Sequence, residues 1–376
     1  MHETPRQALR QAARIVVKLG TNVVTTAQGE INRPLLEDLA REIVARRRAG
    51  RQILVITSGA VRTGLARLGL PGETEDVPTR QAAASVGQIE LMAAYREIFG
   101  RLEQPVAQVL LTHADISDPR RYLHLRNTLS TLLARSALPI INENDPVSIE
   151  GVAIGENDRL AALVAAKVDA ELLVLLSDVE GLFTGDPRTD PDAVLIDTVT
   201  SITREIERYA RESTGGGGRG GMPAKLQAAK AAMNAGVYMV IARGAAGALT
   251  RILEAEEVGT LFVPRPGKLG SRKHRIGFAF APRGKLVVDD GARQALLERG
   301  SSLLAVGIEH VSGQFRQGEV VSVVDSADTE IARGLVNYSA DDVRKIRRCR
   351  TSEIEARLGH CGFDEVIHRD NLVLLQ

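Results

Sequence analysis

The chain has 376 residues, 44% of them hydrophobic, and 48 Lys and Arg against 47 Asp and Glu, a formal charge of +1. That length allows two or three domains with sizeable cores, and the balanced charge supplies no global field aimed at nucleic acid or at a membrane surface. Two cysteines, Cys349 and Cys361, are too few for a disulfide framework, residues 1–13 lack the apolar stretch of a signal peptide, and Lys167, Asp169 and Glu171 interrupt the apolar run 160–176, which argues against a membrane span.

Short apolar runs at 14–18, 53–57, 106–111, 139–141, 172–176 and 238–242 predict strands, and amphipathic stretches such as 34–48, 79–99 and 120–134 predict the helices between them. Continuous apolar strands that alternate with helices indicate an α/β fold: an open, mostly parallel sheet sandwiched by helices. Ligands of such sheets lie beyond the carboxyl ends of the strands. The polar clusters fall there: Lys18-Leu-Gly-Thr, Thr57-Ser-Gly-Ala, Asn142-Glu-Asn-Asp and Ser177-Asp178. Gly155-Glu-Asn-Asp precedes a further predicted helix at 159–166.

A glycine run from 215 leads through Arg219, Gly220, Gly221, Met222, Pro223 and Ala224 to Lys225, at the predicted start of another helix. Glycines let backbone N–H groups approach a ligand, and a helix N-terminus favours an anion, so the segment suits a phosphate. Its spacing is neither that of a P-loop nor GxGxxG. After residue 264 the texture changes. Residues 265–285 are basic, with several Gly and Pro, and read as a linker or crossover; 286–376 carry short strand-like runs at 286–288, 320–324, 331–335 and 366–367 and a helix at 292–298, which suggests a small mixed-β barrel. The expected domains are therefore 1–264 and 286–376.

Each cluster by itself admits a plain reading as a strand end, a helix cap or a turn. Together, two lysines, a glycine loop, small hydroxyl residues and scattered Asp and Asn suit phosphoryl transfer, where catalysis is positioning and charge neutralisation. No GxSxG, no Cys/His metal spacing and no histidine within the clusters point to hydrolysis or to a metal centre. A site without a histidine base suits an acceptor that is already ionised, such as a carboxylate.

Val16-Val-Lys-Leu-Gly-Thr, Val55-Ile-Thr-Ser-Gly-Ala, Ile140-Ile-Asn-Glu-Asn-Asp, Gly155-Glu-Asn-Asp and Gly220-Gly-Met-Pro-Ala-Lys follow one another as in the amino-acid kinase family. The tail, with Asp289-Asp-Gly-Ala, Leu296-Leu-Glu-Arg-Gly-Ser-Ser-Leu-Leu and Val311-Ser-Gly-Gln-Phe, resembles a PUA domain. The resemblance covers nearly all of the chain beyond residue 13. It implies ATP-dependent phosphorylation of the side-chain carboxylate of L-glutamate, the first step towards proline. It also implies that Lys18 and Lys225 neutralise the transferring phosphoryl group while Asp158 orients them. Ser58, Asp145 and Asn157 would bind glutamate, with Asp145 at the α-amino group and Ser58 and Asn157 donating to carboxylate oxygens. Lys18, Ser177, Asp178 and the 219–225 loop would hold ATP, with Mg²⁺ bridging its phosphates. A cytoplasmic homo-oligomer inhibited by proline, with no membrane attachment, completes the implied picture, and the PUA domain leaves nucleic acid open as a partner.

Some positions depart from the family pattern. The loop commonly reads Gly-Thr-Gly-Gly-Met-x-Thr-Lys; Arg219 and Ala224 replace its two threonines, and Pro223 stiffens the helix start. Glu156 stands where Asp is familiar. Two alternatives stay open on the residues alone: a sister kinase acting on aspartate, N-acetylglutamate or UMP, which gives no reason for Asp145 or the tail, and an RNA-binding or RNA-modifying protein, which leaves the kinase clusters unexplained.

Overall fold

The computed structural model describes residues 4–72, 74, 76–148, 156–212, 221–264, 282–360 and 362–375. By its contacts the chain divides into two units, 1–113 with 131–269, and 114–130 with 270–376.

The strands run β1 (Arg14–Leu19), β2 (Gln52–Ile56), β3 (Val106–Leu111), β4 (Leu138–Glu143), β5 (Leu172–Ser177), β6 (Thr198–Val199), β7 (Tyr238–Arg243) and β8 (Thr260–Phe262). The helices are α1 (Thr21–Val24), α2 (Arg33–Arg48), α3 (Ala60–Arg67), α4 (Val77–Gly100), α5 (His113–Ser117), α6 (Pro119–Ala134), α7 (Glu156–Lys167), α8 (Arg204–Glu212), α9 (Met222–Asn234) and α10 (Ala248–Leu253). All eight strands form one sheet in the order β3-β4-β2-β1-β5-β7-β8-β6, parallel except for the β7–β8 pair. The six strands expected from the sequence are all present, each within two residues of its expected ends. β6 and β8 have two and three residues, too few for a readable period.

The order places β1 between β2 and β5, where the strand sequence turns from one side of the sheet to the other. In open sheets, ligands bind beyond the carboxyl ends at such a point. β1 is buried on both faces, as a central parallel strand must be. Ile15, Val17 and Leu19 join a core with Leu36, Leu39 and Ile43 of α2, Leu91 and Tyr95 of α4 and Leu249 and Ile252 of α10. α7 packs on β1, β4 and β5, and beside it α9 packs on β7. Local signals set these helices. α2 has Pro34 in its first turn and buries Leu36, Leu39, Ala40, Ile43 and Val44 at helical spacing, and α4 starts at Asp76, whose carboxylate accepts the Thr79 N–H at 2.9 Å.

α3 and α4 cross with their backbones in contact. A Cβ added at Gly64 would stand 1.7 Å from the Ala83 carbonyl oxygen, and one at Gly87 would stand 1.9 Å from that of Ala60. Only glycine fits, because the obstructing atoms are backbone.

In the second unit β9 (Gly284–Val288), β10 (Ile308–Gly313), β11 (Val320–Val324), β12 (Glu330–Leu335) and β13 (Leu372–Leu374) form a mixed sheet in the order β10-β9-β11-β12-β13. Leu286, Val321, Val323, Val336, Val343, Ile346 and Ile367 centre its core. The strand expected at 366–367 is only an isolated bridge between Leu303 and Ile367, and β10 and β13, with few buried residues, lack the pattern that would reveal them. Residues 114–130 belong to this unit. Tyr122 and Leu123 cluster with Val320 and Leu335, buried Arg126 donates to the Asp370 carbonyl, and Asn371 donates to Asn127 Oδ1 at 3.1 Å. Of the basic 265–285 stretch, residues 265–281 lie outside the described residues, and so does Cys361; Cys349 is buried.

Gly87→Ala should lower the unfolding free energy by roughly 1–3 kcal/mol, the scale of overpacking, and should disturb Ser58 and Gln88, which flank the crossing. Chemical denaturation tests this, and an unchanged midpoint and slope would contradict the close approach.

Candidate active site

Along β1 the side chains alternate, so Lys18 shares the face of Val16 and points to the side covered by α7. Asp158, in the first turn of α7, meets it there: Lys18 Nζ lies 2.6 Å from Asp158 Oδ1. Lys225, in the first turn of α9, lies 3.3 Å from Asp158 Oδ2. The three side chains are 8%, 2% and 9% exposed. Burial alone would raise the Asp158 pKa, but the two ammonium charges and their hydrogen bonds outweigh it and hold the carboxyl below its usual value. Two cations thus flank one carboxylate in a largely buried place.

Next to the triad, Gly20 ends β1 with its N–H donated to the Leu176 carbonyl at 2.8 Å, and a Cβ there would press to 3.2 Å from that oxygen. Ser177 Oγ donates to Asp178 Oδ1 at 2.9 Å, Asn22 Nδ2 donates to Asp178 Oδ2 at 2.7 Å, and Arg62 donates to Asn22 Oδ1 at 2.6 Å. Partial burial works to raise the Asp178 pKa; the bonds from Asn22 and Ser177, with the charge of Lys225, bring it below the ordinary value. Gly221 caps α9 without a side-chain bond, and Met222, Pro223, Ala224 and Lys225 form its first turn.

On the other flank the chain leaves β2 through Thr57 and Ser58 into Gly59, whose φ of 101° starts α3. Thr57 Oγ1 lies 2.7 Å from the buried Tyr95 hydroxyl, which fixes this corner. Asn157 Nδ2 donates to Ser58 Oγ at 3.1 Å and lies 3.4 Å from Asn142 Oδ1, while Asn142 Nδ2 donates to Gln88 Oε1 at 2.8 Å. Beyond β4, Ser148 Oγ donates to Glu143 Oε1 at 2.8 Å. Burial, reinforced by the charge of Glu143 and opposed by that of Arg80, pushes the Asp145 pKa up to about 6. Gln88, Arg96, Glu143 and Asp145 line a cavity of about 600 Å³ whose apolar wall includes Met92, Val106 and Leu110.

Of the residues singled out from the sequence, Lys18, Asp158 and Lys225 meet in one cluster, Ser58 touches Asn157, and Ser177 touches Asp178. Asp145 stands apart from them in the cavity with Glu143. Arg219 and Gly220 lie outside the described residues, and of Glu156 only the backbone is described. Sequence reasoning missed Asn22, Arg62 and Gln88 as members of the site. Asn22 follows directly on Lys18-Leu-Gly-Thr and was within reach, whereas Arg62 and Gln88 sit on helix faces that carry no local signal.

Residues 13–243 match the amino acid kinase family and residues 284–358 match the PUA domain. The chain belongs to the amino acid kinase family, whose kinase members draw on ATP. Within it, the chain is 47% identical over 371 residues to the glutamate 5-kinase of Moorella thermoacetica, with 98% of each chain covered. It is 46% identical over 373 residues to the glutamate 5-kinase of Myxococcus xanthus, with 99% of each covered. Among solved structures it is similar to T. acidophilum isopentenyl phosphate kinase, at 17% identity and a TM-score of 0.48, covering 66% of this chain and 99% of that one.

Asp158→Ala would remove the carboxylate that both buried ammonium groups contact, and should cost roughly 3–5 kcal/mol of unfolding free energy as well as activity. Since its folded pKa is depressed, the stability that Asp158 confers is present above the ordinary carboxylate range and is lost as pH falls through the folded value. Denaturation of the variant at neutral pH within 1 kcal/mol of the parent would be inconsistent with a buried triad.

Proposed function

We propose that the chain transfers the γ-phosphoryl group of ATP to the side-chain carboxylate of L-glutamate, giving L-glutamyl 5-phosphate and ADP, the first step towards proline. The observation that carries this reading is the pair of buried lysines on one carboxylate, in a chain whose full-length relatives are named glutamate 5-kinases.

The acceptor oxygen attacks the γ-phosphorus as the bond to the β-γ bridging oxygen breaks, and the electron pair leaves with ADP. The attacking carboxylate is ionised at neutral pH, so no base is needed. The protein's task is to bring two anions together and to neutralise the charge spread over the transferring oxygens. Lys18 and Lys225 do this from fixed positions, and because Asp158 already orients them, they reorganise little when charge develops. Ser177, Asp178 and the first turn of α9 hold the nucleotide, together with Arg219 and Gly220. Among the described residues no three His, Cys, Asp or Glu group around a metal. Mg²⁺ arriving with the nucleotide beside Ser177, Asp178 and the first turn of α9 would need no such cage and would supply further charge neutralisation. Asp145 pairs with the substrate α-ammonium, and Ser58 and Asn157, in contact with each other, complete the acceptor pocket.

Among the described residues no helix is long and apolar enough to cross a membrane. A cytoplasmic location, self-association and inhibition by proline belong to the same proposal.

Lys18→Ala and Lys225→Ala should each lower kcat by about a hundredfold or more in an ATP-dependent hydroxylamine-trapping assay. A change confined to the KM for ATP would restrict that lysine to ground-state binding. In the same assay glutamate should outperform aspartate and N-acetylglutamate, and a preference for either of the others would overturn the acceptor.

Asp145→Asn should raise the KM for glutamate strongly while leaving that for ATP nearly unchanged. Its raised folded pKa means that ionising Asp145 works against the unliganded fold from about pH 4 upward and fully so above about 6. The Asn variant should therefore have a higher Tm than the parent at pH 7–8, with the gap closing towards pH 4. Equal losses for glutamate and ATP would assign Asp145 to a different ligand.

A further inference from the structure

Four amide and hydroxyl side chains from four elements form a line through the acceptor side of the site. Gln88 comes from α4, Asn142 from β4, Asn157 from α7 and Ser58 from the turn into α3. From Asn157 the bonds run outward both ways: its amide donates to Ser58 on one side and towards Asn142 on the other, and Asn142 donates to Gln88. Two buried atoms are left without a partner among the described residues, the Gln88 Nε2 donor and the Asn157 Oδ1 acceptor.

Such a line has two possible polarities, because every amide in it could turn over together. In the opposite sense Asn157 would offer its NH₂ group and Gln88 its oxygen. The Gln88 end decides between them. Gln88 lines the cavity that also holds Glu143 and Asp145, and two carboxylates favour a donor facing them over a carbonyl oxygen. With Nε2 set on that side, Oε1 faces Asn142, Asn142 must donate to it, and its own oxygen faces Asn157.

We propose that Gln88 is a positioning residue for the acceptor amino acid: through Asn142 it fixes the Asn157 amide so that Asn157, whose NH₂ group is already engaged by Ser58 and Asn142, presents its carbonyl oxygen to the substrate α-ammonium instead of donating to a carboxylate oxygen as the resemblance implies. A buried acceptor without a partner is costly in the empty protein and is satisfied by a ligand that donates. An ammonium group has three donors and no acceptor, and here it finds the Asp145 carboxylate and the Asn157 oxygen as complementary partners. The same arrangement disfavours an acylated amine, which has a single N–H and no charge, so the relay contributes to choosing free over N-acylated amino acids. Gly87 brings this part of α4 against α3 and thereby places Gln88 within reach of β4.

The inference rests on glutamate being the acceptor, and wild-type turnover tests that separately: no glutamate-dependent ADP formation by the parent refutes the acceptor itself. Given turnover, Gln88→Leu removes the acceptor that holds Asn142. The full-length Leu variant should show a KM for glutamate raised about tenfold, with kcat and the KM for ATP little altered. Glutarate, which is glutamate without the amine, serves as the probe of the α-ammonium, and its Ki against glutamate should be the same in the Leu variant as in the parent. An unchanged KM in Gln88→Leu, or an equal weakening of glutarate, would overturn the proposal.

Discussion

The buried carboxylate of Asp158 between Lys18 and Lys225 is the interaction on which the rest of the site depends. It ties the end of a central strand to the first turns of two neighbouring helices, so the relative placement of β1, α7 and α9 and the placement of the two charges are one and the same constraint. Two ammonium groups are thereby held close together in a largely buried place, so positive charge is concentrated there before any ligand arrives. That is the form of electrostatic preorganisation that phosphoryl transfer to a carboxylate requires, since the two reactants repel each other and the protein must supply the opposing charge in advance.

The acceptor side shows the same logic with other groups. Asp145 is ionised only against the pull of burial and of Glu143, and Asn157 keeps a buried oxygen without a partner among the described residues. Both cost stability in the unliganded protein, and in the proposed reading the substrate α-ammonium relieves both. The scaffold that bears these costs is closely packed and apolar: β1, β2, β4 and β5 have almost no exposed surface, and α3 and α4 touch through Gly64 and Gly87. A site that would otherwise relax is held by elements that cannot move without opening backbone-to-backbone contacts.

The second unit draws on the chain in two places. Residues 114–130, which connect β3 to β4 in sequence, bury Tyr122 and Leu123 against Val320 and Leu335, and Arg126 and Asn127 bond to residues at its far C-terminal end. A segment that follows one strand of the catalytic sheet and precedes another is thus part of the core of the PUA-bearing unit. The periodicity of 120–134 announces a helix but carries no information about which unit it packs in, because an apolar stripe is satisfied equally by either.

The sequence by itself determined the six principal strands, the helices between them and the positions of Lys18, Asp158 and Lys225 as candidates, because each of these is written in local terms: apolar runs bounded by glycine, and polar clusters at strand ends. It also contained Ser58, Asn157, Ser177 and Asp178, which the fold brings into contact in pairs. Only the tertiary structure decided that Lys18 and Lys225, some two hundred residues apart, share a single carboxylate. It alone joined Gln88, Asn142, Asn157 and Ser58 in one line of bonds, and set Asp145, at the start of a 3₁₀ turn, beside Glu143 in a cavity. Those facts depend on which face of β1 α7 covers and on how closely α3 can approach α4, and such distances arise from packing between elements, which no residue's own neighbours along the chain encode.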